Sequence, residues 1–253
     1  MLVVCEAPDP ASEHLHPQSR FARRVRATML SVNGRHTGLP THSAAIDYRA
    51  IDSLKQMNGA RQRHHHRHMW IITGPAGCGK STVAQHLANE LSIPYIEGDD
   101  FHPPSNKQKM AQGIPLTDAD RWDWLISLRE AAASRLCPTN SSTTKPHDGV
   151  VVTCSALKRK YRDVMRIAAY NNHNVLIHFI YLRVDEDILV ARVKARQGHY
   201  MKSTMVHSQL EMLEEPDVEE QGRDVLEIDC QTSLTEVQML VESTVREVLA
   251  EDV

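Results

Sequence analysis

The eight residues Gly74-Pro75-Ala76-Gly77-Cys78-Gly79-Lys80-Ser81, with Thr82 next, constrain this chain more than any other stretch. They match the pattern G-x-x-x-x-G-K-[ST] at every fixed position. The pattern carries physical meaning only between a strand and a helix, and both flanks comply. Met69-Trp70-Ile71-Ile72-Thr73 is a short apolar run of strand type. After the loop, Val83, Ala84, Leu87, Ala88 and Leu91 recur at helical spacing. Glycines there let the backbone approach an anion without Cβ clashes, successive N–H groups point inward, and the helix N-terminus adds partial positive charge. Lys80 is then placed to reach the β- and γ-phosphates of a nucleotide, and the Ser81 hydroxyl to ligate Mg²⁺. A glycine turn with an incidental lysine is the alternative, and the flanking context argues against it.

Downstream, short apolar runs alternate with helical patterns. Ile93–Glu97, Val150–Cys154, Val175–Leu182 and Val225–Asp229 read as further strands. Helical segments include one running through Trp122, Trp124, Leu125 and Leu128, one over Glu186–Arg196, a short one over Val206–Leu213 and an amphipathic one over Leu234–Leu249. This alternation predicts a three-layer α/β fold around a parallel five-stranded sheet. His178 lies inside a strand and is expected in the core. Trp122 and Trp124 are expected to pack rather than recognise.

Residues 1–68 are different material. They hold 10 Lys+Arg against 5 Asp+Glu, a net +5, whereas the remaining 185 residues hold 19 against 27, a net −8. The arm has no sustained apolar period and two aromatics, so disorder is the expectation, with the folded domain over 69–253. Phe21–Leu30 is basic and somewhat amphipathic, but Glu6, Asp9 and Glu13 precede it, unlike an import signal. Arg61–His68 reads as a solvated linker. The five scattered cysteines show no zinc spacing, and no apolar run is long enough to span a bilayer, so a reducing, cytoplasmic setting is expected.

Several residues fall where chemistry is expected, at the C-terminal ends of strands. Gly98-Asp99-Asp100-Phe101-His102 follows the second strand. An aspartate there can take a proton from an attacking hydroxyl, hold Mg²⁺ through water, or simply cap the next helix. Residue types alone do not divide these roles between Asp99 and Asp100. Arg121 sits in the first turn of its helix, where a cation opposes the helix dipole and so suggests an anionic partner, either a substrate or Asp118. Lys158, Arg162 and Arg166 recur every four residues, a candidate anion clamp or a solvated face. Arg192 and Arg196 share a face and precede Gln197–Thr204, which reads as a lid segment. The polar stretch Cys137–Gly149 reads as a surface loop.

Taken together, GPAGCGKST (74–82), EGDDFHP (97–103), NKQKM (106–110), GIPL (113–116), DADRWDWL (118–125), CSALKRKYRD (154–163), RVKARQGH (192–199) and SQLEML (208–213) resemble the motifs of phosphate-loop gluconokinases, in order, over residues 69–250. The resemblance implies a P-loop NTPase fold like that of shikimate and nucleoside monophosphate kinases. It implies ATP- and Mg²⁺-dependent phosphorylation of D-gluconate at its 6-hydroxyl, feeding the pentose phosphate pathway, commonly by a homodimer. It implies nucleotide binding by Gly74 through Thr82 and Arg192. It makes Asp99, rather than Asp100, the base or substrate-orienting carboxylate, with Ser81 and Asp99 toward the metal and Lys80 and Arg192 toward the transferred phosphoryl group. Asp99, His102, Arg121, Lys158 and Arg162 would bind the sugar acid. Ala76 and Cys78 depart from the small Ser or Gly residues usual in the loop, and Cys78 would make it oxidant-sensitive. A shikimate or nucleoside kinase is a less complete match. A catalytically lost, nucleic-acid-binding adaptor is argued against by intact Lys80, Ser81 and Asp99.

Overall fold

The computed structural model describes residues 66–138, 146–195 and 203–252. Five strands form one parallel sheet: β1 (Arg67–Thr73), β2 (Tyr95–Ile96), β3 (Gly149–Thr153), β4 (Val175–Arg183) and β5 (Val225–Asp229), in the spatial order β2-β3-β1-β4-β5. The first helix, α1 (Lys80–Leu91), leaves β1 through the glycine loop. It is followed by a 3₁₀ turn (Gly98–Phe101), α2 (Pro104–Ala111), α3 (Asp118–Leu136), α4 (Arg159–Asn171), α5 (Glu186–Ala195), α6 (Ser203–Met212), α7 (Val218–Gln221) and α8 (Leu234–Glu251). Strand β1 is central. The chain moves from it to one side through β2 and β3, then crosses to β4 and β5 on the other. That reversal opens a crevice beyond the C-terminal ends of the strands, where α/β sheets bind ligands.

Strand alternation divides the core. Met69 and Ile71 join Val150, Val152, Ile177 and Phe179 under α3 and α4. Trp70 and Ile72 face the opposite way and pack with Val151, Ile180 and Leu182 under α1 and α8. The helix ends follow local chemistry. Thr117 caps α3 and Ser233 caps α8, each in a reciprocal box with an acid three residues on (Asp120 and Glu236). His178 is buried and stacks on Trp70 with ring centroids 4.3 Å apart, as its strand position predicts. No described helix is long and apolar enough to cross a membrane.

Two boundaries differ from expectation. Strand β1 begins at Arg67, so the last residues of the supposed linker belong to the sheet. His68 is buried, and His66 and His68 both meet Asp252, just past α8, at 2.6 and 3.3 Å. Charged and polar residues hid this strand start because their partners come from the far end of the chain. The second strand shrinks to Tyr95–Ile96, since Pro94 offers no N–H to a ladder. Residues 1–65, most of the Cys137–Gly149 loop, Arg196 and most of the expected lid lie outside the described residues.

Candidate active site

The glycine loop and the 3₁₀ turn face each other across one cleft. Its walls include Ala76, Gly77, Gly79, Lys80 and Ser81 from the loop, Glu97, Asp99 and His102 from the turn, and Arg121 and Trp124 from α3. The loop is held in a shape that excludes larger residues. Gly77 has φ of +87°, and a Cβ there would come within 2.8 Å of the Val193 side chain on α5. The Lys80 ammonium donates to the carbonyls of Gly74 (3.0 Å) and Pro75 (2.9 Å). The Ala76 N–H donates to Gln209 Oε1 at 2.7 Å. Gly74, Pro75, Cys78 and Thr82 do not line the cleft. Cys78 is buried in the apolar layer with Ile72 and Leu182, which shields its sulfur from dissolved oxidants and corrects the expected oxidant sensitivity.

The opposite wall is pinned through Gly98. Its N–H donates to Thr153 Oγ1 (2.9 Å), its carbonyl accepts from Trp124 Nε1 (2.7 Å), and an added Cβ would overlap the Thr153 carbonyl. This clamp presents Asp99 to the cleft, whereas Asp100 does not line it. His102 is buried and stacks on Trp124 at 4.0 Å between centroids, with Nε2 4.0 Å from Asp99. Burial, helped by the charges of Arg121 and Lys107, lowers its pKa to about 4, so at neutral pH it is an uncharged imidazole. Its Nδ1 is buried without a hydrogen bond inside the protein.

Arg121 lines the cleft while one guanidinium nitrogen donates to the Leu116 carbonyl (2.5 Å) and the group lies 5.4 Å from the Tyr161 ring centre. Asp118 is not its partner. That carboxylate takes Lys158, Lys160 and the Tyr161 hydroxyl, and these hydrogen bonds, Lys160 foremost, pull its pKa well below the usual range.

Glu97 is a site residue that motif reading passed over. Burial would raise its pKa, but hydrogen bonds from Thr153, Tyr95 and Ser81 lower it, so the carboxylate stays ionised beside the loop hydroxyl. The usable signal was an acid at a strand's C-terminal end, one residue before the conspicuous Gly-Asp pair.

Three expected site residues are committed elsewhere. Arg162 is 2% exposed and donates two hydrogen bonds to Glu220 (2.8 and 2.6 Å) and one each to the Ala156 and Glu214 carbonyls. Arg166 adds Glu220, Asp224 and Asp163. The supposed anion clamp is therefore a buried ion network joining α4 to α7. Two of its acids, Glu220 and Asp224, lie more than fifty residues downstream of the arginines, beyond the reach of local spacing. Lys158 does not line the cleft and sits 3.4 Å from Asp118. Arg192 does not line it either, and donates to the Cys230 carbonyl at 2.9 Å.

Residues 69–216 match the family model described as an AAA domain. The chain is 44% identical to a probable gluconokinase of Schizosaccharomyces pombe over 163 residues, covering 64% of this chain and 80% of that protein. It is 39% identical to the thermoresistant gluconokinase of Escherichia coli, covering 66% and 87% respectively. A crystal structure of a gluconokinase from Sinorhizobium meliloti superposes with a TM-score of 0.60 at 36% identity, covering 73% of this chain and 95% of that one.

Proposed function

We infer that this chain, which belongs to the gluconokinase family, transfers the γ-phosphoryl group of ATP to the 6-hydroxyl of D-gluconate. The observation that carries the reading is one cleft whose first wall is a phosphate loop and whose second wall bears Asp99, His102 and Arg121. Both substrates are anions, and the cleft opposes cations and amide donors from two sides.

The Lys80 ammonium and the loop N–H groups would hold the β- and γ-phosphates and stabilise charge as it develops. Arg121 would pair with the sugar-acid carboxylate, since a guanidinium presents a fork of donors that matches it. Neutral His102 would hydrogen-bond a hydroxyl rather than supply charge. Asp99 would accept the proton of the attacking hydroxyl and orient it. The donor set suits Mg²⁺, a hard cation that prefers oxygen and keeps several waters. Ser81 would ligate it, Asp99 would reach it through water, and ionised Glu97 would orient the Ser81 hydroxyl. Mg²⁺ held there would offset the negative charge of the nucleotide's phosphates. Lys158, Arg162 and Arg192, engaged as described, take no part in this scheme.

The test is ATP consumption by the purified chain across gluconate, other sugar acids, shikimate and nucleosides. Gluconate is expected to turn over fastest, with Lys80→Ala inactive. Asp99→Asn is expected to lower kcat by about 10²–10⁴-fold while nucleotide affinity changes little. Unchanged turnover in that variant removes Asp99 from the mechanism. The homodimer implied by the resemblance is part of the same reading, and sedimentation of the full chain checks it.

A further inference from the structure

Two donors of the phosphate loop are engaged from within the molecule. Its cation, Lys80, is folded back on two loop carbonyls. One amide of this cleft-lining loop, Ala76 N–H, is taken by the side-chain oxygen of Gln209, 133 residues away on α6. Ser208, Gln209 and Met212 line the same cleft as Asp99, His102 and Arg121. Gln209 therefore sits between the two halves of the site, with an acceptor on the loop and an amide group, itself a donor, at the other end of the same carboxamide.

We propose that Gln209 is a reversible cap on the phosphate cradle, which the nucleotide's phosphate displaces and which then positions the second substrate. This rests on the reading that the cleft binds ATP. The physical basis is a competition for one N–H. A carboxamide oxygen is a neutral acceptor, and hydrogen bonds to an ionised oxygen are roughly twice as strong, so a phosphate outcompetes it. Until then, the cap spares Ala76 N–H the cost of standing unpaired in a partly buried position. Once displaced, the carboxamide stays on the cleft wall and can bond a hydroxyl or carboxylate of a sugar acid. Nucleotide arrival is thereby coupled to completion of the second subsite. Gln209 is a positioning residue, because it meets the reaction through the loop and through substrate orientation.

The experiment uses the full chain and a non-hydrolysable ATP analogue, with Kd measured by calorimetry alongside steady-state kinetics. Gln209→Met keeps the length and removes the acceptor. It is expected to bind the analogue about fivefold tighter, the worth of one neutral hydrogen bond, while KM for gluconate rises and kcat falls. Gln209→Glu places a charged acceptor on the same N–H and a like charge beside the phosphates, and is expected to bind the analogue at least about tenfold more weakly at pH 7.5. A purely structural role would move melting temperature and leave these opposite shifts unseen. Analogue affinity unchanged or weakened in Gln209→Met, or not weakened in Gln209→Glu, overturns the cap. The Glu variant alone decides the matter if the Met variant does not fold. If the wild-type chain binds the analogue and phosphorylates gluconate but the variants show no such shifts, only the cap fails. If the wild-type chain binds no nucleotide, the reading beneath it fails as well.

Discussion

Gly98 shows how a single position can govern the chemistry of its neighbour. Its N–H and carbonyl are both tied, to Thr153 and Trp124, and the Thr153 carbonyl occupies the space a methyl group would need. Gly98→Ala must therefore push the turn away from β3 and carry Asp99 with it. Stability is expected to fall by about 1–3 kcal/mol. A displacement of even 1 Å costs on the order of 10²-fold in rate. Urea denaturation and kcat on gluconate check the two effects, and wild-type kcat in this variant would deny that the clamp matters. The motif made Asp99 a candidate through its neighbours in sequence. Its presentation to the cleft, and the exclusion of Asp100, follow from contacts of Gly98 with residues 26 and 55 positions away.

Among the elements, α4 differs most from its expected role. Its four-residue basic spacing is real, and that periodicity is what a helix needs to bring Arg162 and Arg166 onto one face. Spacing cannot say which way the face turns. Here it turns inward, onto Glu220 and Asp224, and the network ties α4 to α7 and to the backbone just after α6. Burial alone would raise the Glu220 pKa, but hydrogen bonds from Arg162 and Arg166 hold it at about 2. Arg162→Met leaves that carboxylate buried with one partner fewer, and breaking such a pair costs about 3–5 kcal/mol. Chemical denaturation should register that loss. At a temperature where the variant remains folded, KM for gluconate should change less than about threefold. A rise of tenfold or more would return Arg162 to the substrate.

For the whole molecule, the buried histidines set a pH limit. His102 has a folded pKa of about 4, below its ordinary 6.5, and His178 is likewise depressed well below that value by burial and by the adjacent His68. Below about pH 6.5 the unfolded chain binds protons that the folded one refuses, so stability falls as pH drops toward 4. The Glu220 contribution, fully present above its ordinary 4.5, is lost later, as pH falls toward 2. Melting temperature should decline between pH 7 and 5, and His178→Phe, which fills the place with an apolar ring, should flatten part of that decline. A melting temperature independent of pH across that interval contradicts the account. Asp99 and His102 were picked out by the resemblance of their motif to a known family, whereas the parallel sheet and the phosphate loop were readable along the chain, because strand and helix periods and glycine turns are local consequences of covalent geometry. The start of β1, the inward turn of α4, the engagement of Lys158 and Arg192, and the contact between Gln209 and Ala76 were not. Each depends on which distant group supplies the partner for a charge or an N–H, and that is settled only when the sheet brings the two together.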